Sequence, residues 1–91
     1  MIESFCHKGL ESLYLTGSKR GITPHLAEKL LDILDLLDAA KVIEDMNFPG
    51  SNLHPWQGVK DVWSVSVTGN WRVVFEFRDG KASQIRLTDP H

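Results

Sequence analysis

The sequence is poor in the residues from which disulfides, metal sites and phosphate loops are built. Cys6 is its one cysteine, so no internal disulfide can form, and such a chain suits a reducing compartment. The four histidines, His7, His25, His54 and His91, lack metal-ligand spacing, and neither a metal nor a cofactor is expected. Cys6 and His7 are sequence neighbours, which by itself is no catalytic pairing. There is no phosphate-binding glycine loop and no serine nucleophile elbow, which argues against P-loop and α/β-hydrolase chemistry. No basic leader followed by an apolar stretch is visible, so no signal peptide is expected. The leucine-rich run at 30–37 carries Asp32 and Asp35, too polar for a membrane span. Repeats, low-complexity tracts and linkers are absent, and 91 residues suffice for one domain, 1–91, with a modest core.

A strong charge is missing too. The formal net charge is −2 and the sequence pI about 6.0, less basic than most polyanion-binding proteins. The charge is unevenly spread. Residues 23–50 hold six acids against two bases, whereas 1–22 and 51–91 each carry an excess of one base. The acidic run Glu28, Asp32, Asp35 and Asp38 reads as a solvated helix face, with a landing strip for a basic partner segment as the sharper alternative.

What is present is a strong β pattern near the C-terminus. Trp63, Val65 and Val67 alternate with Ser64 and Ser66, and after Thr68-Gly69-Asn70 the residues Trp71, Val73, Phe75 and Phe77 alternate with Arg72, Val74, Glu76 and Arg78. This period of two, with turn signals at Gly69-Asn70 and Asp79-Gly80, predicts a three-stranded antiparallel meander over 63–88. A plain two-residue first loop puts the two apolar sets on opposite faces. Bulged or three-residue loops are therefore expected, pairing Val67 with Trp71, Val65 with Val73, Phe75 with Ile85 and Val73 with Leu87. The second face then carries Ser64, Ser66, Thr68, Arg72, Glu76, Gln84, Arg86 and Thr88.

Upstream, Met1–Phe5 suggests a short edge strand. A helix is predicted over His7–Thr16, stopped at Gly17. Thr23-Pro24 is a start signal for a second helix, whose Leu26, Leu30, Ile33, Leu34 and Leu37 recur at helical spacing. Asp38 is expected to cap a third short helix over Ala39–Met46, before a loop at Ser51–Lys60. The fold class is α+β, with two or three helices covering the apolar face of the meander.

Three residues could carry chemistry on the polar face. His54 sits in the loop before the first meander strand, Arg72 projects from the central strand, and His91 follows the last strand. Two imidazoles and a guanidinium suit RNA backbone cleavage. One group takes the 2′-hydroxyl proton, another protonates the leaving 5′-oxygen, and the cation stabilises the charged phosphorane. An unperturbed imidazole, with a pKa near ~6.5, serves either proton role. Trp63, Trp71, Phe75 and Phe77 read as core; Trp56 either covers its loop or touches RNA.

Ile43-Glu44-Asp45-Met46, Leu53-His54-Pro55, Trp63-Ser64-Val65-Ser66-Val67, Gly69-Asn70-Trp71-Arg72 and Asp89-Pro90-His91 together resemble the HigB branch of the RelE-type toxins, as does the opening Ser4-Phe5-Cys6-His7-Lys8-Gly9-Leu10-Glu11. The resemblance covers the whole chain. It implies a ribosome-dependent endoribonuclease that cuts mRNA in the A site by 2′-hydroxyl attack without a metal. It also implies a cognate helix-turn-helix antitoxin, HigA-like, through whose complex alone the chain reaches operator DNA. Mapped onto this sequence, His54, Arg72, Asp89 and His91 are the catalytic positions, and Gln57, Lys60, Thr68 and Arg86 the RNA contacts. A cytoplasmic location and no membrane partner follow. Pro90, Gln57 and Thr68 depart from the tyrosine, lysine and arginine common in the family, which removes two cations and an aromatic ring. Two alternatives therefore stand beside this reading: a weakened toxin acting mainly as an antitoxin-binding co-repressor, and a gyrase inhibitor of the related ParE type.

Overall fold

In a computed structural model, which describes residues 1–89, the chain is α+β: two α-helices and a four-stranded antiparallel sheet. Helix α1 spans Lys8–Thr16 and α2 spans Ala27–Ala39; the strands are β1 (His54–Pro55), β2 (Val62–Thr68), β3 (Trp71–Arg78) and β4 (Lys81–Thr88), in that spatial order.

Helix α1 buries Leu10 and Leu13. His7 caps it through Nδ1, which accepts the Leu10 N–H at 3.1 Å and so satisfies one orphan donor of the first turn. Gly17 ends it in the left-handed region (φ 76°), where a residue without Cβ is unstrained, and donates its N–H to the Leu13 carbonyl. Pro24 starts the second helical segment as expected, first as a 3₁₀ turn over Pro24–Leu26 that runs on into α2. Leu26, Leu30, Ile33, Leu34 and Leu37 are all buried. Thr23, expected as a side-chain cap, contributes its carbonyl instead, accepting from the Leu26 N–H at 2.9 Å.

The third helix is only a 3₁₀ turn, Ile43–Met46. Asp38 does not cap it. It lies in the last turn of α2, where its carboxylate accepts the Ile2 N–H at 2.9 Å. Asp45 organises the turn instead by accepting the N–H groups of Lys41 (2.9 Å) and Val42 (3.2 Å), and these two bonds hold its carboxyl below the usual range. The N-terminal segment, expected as a strand, makes two isolated parallel bridges to β4, Ile2 to Ala82 and Phe5 to Ile85.

Both turns of the meander have two residues, and the strands absorb the mismatch as bulges. At the first, Thr68 pairs with Trp71 and Ser66 with Arg72, leaving Val67, expected opposite Trp71, as the extra residue. At the second, Asp79 and Gly80 both have positive φ (51° and 76°), as a tight hairpin requires. Here the correction comes five residues after Asp79. Val74 pairs with Arg86 and Glu76 with Ser83, so Gln84 (φ 53°) and Ile85 together oppose Phe75. The bulged Gln84 N–H finds its acceptor in the Ser4 hydroxyl at 3.0 Å. The expected pairs Val65–Val73 and Val73–Leu87 form.

The two bulges keep Val65, Val67, Val73, Phe75 and Ile85 in one core with the helix leucines. Trp63, Trp71 and Leu87, expected to be buried against the helices, pack against this core but are only half-buried. Phe75 and Phe77 meet edge to face with centroids 6.4 Å apart. The stretch expected as a plain loop contains β1, which pairs His54 with Ser64 and Pro55 with Trp63. Its position at the sheet edge tolerates Pro55, which has no N–H to give a ladder.

Candidate functional site

Residues directly opposite in an antiparallel ladder share a face of the sheet. The pairs His54–Ser64, Ser64–Val74 and Val74–Arg86 therefore form one row across all four strands, and Ser66–Arg72–Thr88 forms the next. Three strand spacings separate the row's ends, so the His54 and Arg86 backbones lie about 14 Å apart.

Arg72 does not stand upright from its row. Its Nη1 donates to the Ser66 hydroxyl at 3.0 Å, while Nε (3.0 Å) and Nη2 (2.9 Å) both donate to the Ser64 hydroxyl, one pair further along β2. Nη2 also donates to the Asn52 carbonyl at 3.0 Å. The guanidinium is thus laid across β2 toward the β1 edge, where His54 sits. Asn52 reaches this place through a left-handed backbone (φ 46°), and its side-chain amide donates to Ser66 at 3.2 Å. The Ser66 N–H in turn donates to the Ser51 carbonyl at 2.7 Å, tying this segment to β2.

These bonds engage four of the five N–H donors of Arg72, and every acceptor is neutral. No ion pair of Arg72 forms among the described residues; the guanidinium of Arg78, by contrast, pairs with Asp61 and Glu76. Among the described residues, Arg72 is therefore held in place by neutral acceptors alone. A guanidinium oriented in this way keeps its positive charge available to an anion.

The guanidinium forms one wall of a cleft of about 380 Å³ lined by His54, Pro55, Trp56, Gln57, Ser64 and Arg72. None of the six is acidic. A larger hollow, about 440 Å³, lies where Met1, Asp38–Lys41 and Asp79–Lys81 meet. It mixes acids with bases and holds no histidine. No cluster of three or more potential metal ligands exists among the described residues.

Of the residues expected from the sequence, His54, Gln57 and Arg72 meet in the cleft. Lys60 is exposed in the turn before β2, Thr68 is exposed at the end of β2, and Arg86 is half-buried on β4; none lines the cleft. Asp89 is half-buried and follows Thr88, the residue paired with Arg72. Pro90 and His91 lie outside the described residues. Sequence reasoning missed the residues that hold Arg72. The alternation put Ser64 and Ser66 on the polar face but could not show that Ser64, only 1% exposed, lies buried beneath the guanidinium. Asn52 gave no signal, since its contribution is a backbone carbonyl placed by an unusual φ.

A small α+β protein with an oriented arginine and a histidine lining one cleft at its sheet has the chemistry to engage an anionic partner. Comparison with known proteins narrows this description. A family model described as the RelE-like toxin of the type II toxin–antitoxin system HigB matches residues 3–91. Over 92 aligned residues the chain is 36% identical to Endoribonuclease HigB of Proteus vulgaris, covering 100% of both proteins. The chain belongs to the HigB-like toxin family, and membership implies a cognate antitoxin. No helix among the described residues is long and apolar enough to cross a membrane.

Proposed function

We propose that this toxin is a ribosome-dependent endoribonuclease that cleaves mRNA in the ribosomal A site. The observation that carries the reading is the meeting of His54 with a fixed Arg72 in a cleft whose described lining holds no carboxylate. The relative's name, an endoribonuclease, supports it. In the proposed reaction one of His54 and His91 removes the 2′-hydroxyl proton, and the 2′-oxygen attacks the adjacent phosphorus. The bond to the 5′-oxygen breaks, and the other histidine returns a proton to that oxygen. The products are a 2′,3′-cyclic phosphate and a 5′-hydroxyl, with no metal taking part. Arg72 stabilises the charge that gathers on the phosphorane oxygens. Asp89 orients its catalytic neighbours, and Gln57, Lys60, Thr68 and Arg86 contact the RNA outside the reacting bond.

In the cell the partner that restrains this activity is a HigA-like helix-turn-helix antitoxin, and the pair together binds their operator. The site of action is the cytoplasm, where translating ribosomes are found. The test is cleavage of mRNA on programmed ribosomes by wild type, His54→Ala, Arg72→Ala and a chain lacking His91. Each change should lower the rate about 100-fold or more while leaving the fold intact. Wild-type rates in all three variants would refute the ribonuclease reading.

A further inference from the structure

Part of the cleft wall is not used by the cleavage chemistry. Trp56 and Gln57 line that part. Trp63 and Trp71 are half-buried against the hydrophobic core, whereas Trp56, also half-buried, is not among the side chains packed there. Its backbone is nevertheless fixed. Its N–H donates to the Val62 carbonyl at 2.8 Å and its carbonyl accepts the Val59 N–H at 3.3 Å, closing the turn between β1 and β2. A tryptophan clamped at its backbone, set beside β1 and excused from the core is a preformed flat surface in the cleft wall. Leaving it half-exposed costs apolar burial that the fold could otherwise have gained.

Gln57 adds a different chemistry. Exposed next to Trp56, its amide offers two donors and one acceptor oxygen. Such a group matches the edge of a heterocycle, whereas a lysine at this position supplies a point charge and no acceptor. The cleft thus presents a cation, an aromatic side chain and a donor–acceptor pair within one hollow. One ligand class carries both complements in one unit: a nucleotide, with its anionic phosphate and flat, hydrogen-bonding base. A volume of about 380 Å³ lies at the small end for ligand sites, fitting one nucleotide rather than a stretch of strand.

We propose that Trp56 and Gln57 form a nucleobase seat: the base beside the scissile phosphate stacks on the Trp56 indole and is read at its edge by the Gln57 amide. The proposal deepens the ribonuclease reading and rests on it for the identity of the phosphate. The seat places binding energy on an uncharged part of the substrate, so its contribution resists salt while that of Arg72 does not.

The test is an NMR titration of the full chain with the four nucleoside 3′-monophosphates, ribose phosphate and inorganic phosphate. Wild type should bind the nucleotides roughly 5- to 150-fold more tightly than ribose phosphate, the worth of one base–aromatic stack. Trp56→Ala should bring the two to parity without weakening ribose phosphate, and Trp56→Phe should retain most of the preference. Gln57→Leu should level the four nucleotides while keeping their advantage over ribose phosphate. Parity in the wild type, no binding of any probe, or an unchanged preference in Trp56→Ala would each overturn the seat. The cleavage assay judges the ribonuclease reading separately. A nucleotide preference that depends on Trp56, alongside cleavage indifferent to His54 and Arg72, would keep the seat and remove the enzyme.

Discussion

Ser64→Ala is the most informative single change at this site, because it removes an oxygen atom and leaves every charge in place. Ser64 is 1% exposed, and its hydroxyl accepts two N–H groups of Arg72, at 2.9 and 3.0 Å. A hydrogen bond to a charged group is worth about 1.5–3 kcal/mol, and removing this shared acceptor frees two donors at once. Arg72 is only half-buried, so water can replace part of the loss, and the stability cost should be about 1–2 kcal/mol. The freed guanidinium keeps its bonds to Ser66 and Asn52 but loses the pair that turns it toward the His54 edge. Cleavage on programmed ribosomes should therefore fall about 10-fold, the equivalent of about 1.4 kcal/mol in the barrier. Arg72→Ala removes the charge itself and should cost about 100- to 1000-fold, the range for one lost donor to a developing anion. The decisive measurement is the double-mutant cycle. In the Arg72→Ala background Ser64 has no guanidinium to position, so adding Ser64→Ala should leave the cleavage rate unchanged and the urea midpoint unchanged or slightly higher. If Ser64→Ala costs the same rate with and without Arg72, the hydroxyl does not act through the arginine and the positioning argument is wrong.

Three further outcomes follow from the scaffold. His7→Ala removes the imidazole cap of α1 and should lower stability by about 1 kcal/mol in urea unfolding, whereas His7→Asn should restore most of it; an unshifted midpoint in His7→Ala would show that the 3.1 Å contact with Leu10 carries no energy. Ser51 is fully buried and its hydroxyl has no partner among the described residues, so Ser51→Ala should leave stability unchanged or raise it by up to about 1 kcal/mol; a clear loss would mean the hydroxyl is bonded after all. Asp38 is held below the usual carboxylate range, first by the Ile2 N–H it accepts and then by the Tyr14 hydroxyl and the Met1 amino group. A depressed carboxyl contributes stability above its unfolded pKa of about 3.9 and loses it as pH falls through the lower folded value. Urea midpoints measured from pH 5 downward should therefore fall more steeply in wild type than in Asp38→Asn, and parallel curves would remove Asp38 from the acid response.

The helix leucines and the alternating strands were readable because each pattern is local. Spacing of three and four puts Leu30, Ile33, Leu34 and Leu37 on one side of any helix, and period two does the same for Val65, Val73 and Phe75 in any strand. Even the need for a correction at both turns followed from the sequence, because one core must collect both apolar faces. Where the correction falls was not readable. Asp79-Gly80 makes a tight two-residue turn, and the extra residue moves to Gln84, where the N-terminal segment offers the Ser4 hydroxyl to the displaced N–H. That hydroxyl lies 80 positions away in the chain, beyond any local pattern.

The same division runs through the site. His54 and Arg72 were identifiable as residue types at suggestive places, and their resemblance to a toxin family named their roles. Only the tertiary structure decided that β1 pairs with β2, which brings His54 alongside Ser64, and that Arg72 lies over Ser64 rather than projecting into solvent. It also set Lys60, Thr68 and Arg86 outside the lining of the cleft. The physical reason is that side-chain identity is written locally, whereas the direction of a long, flexible guanidinium is set by its acceptors. Here they are two hydroxyls on a neighbouring strand and one carbonyl from a loop, and only folding brings the three together.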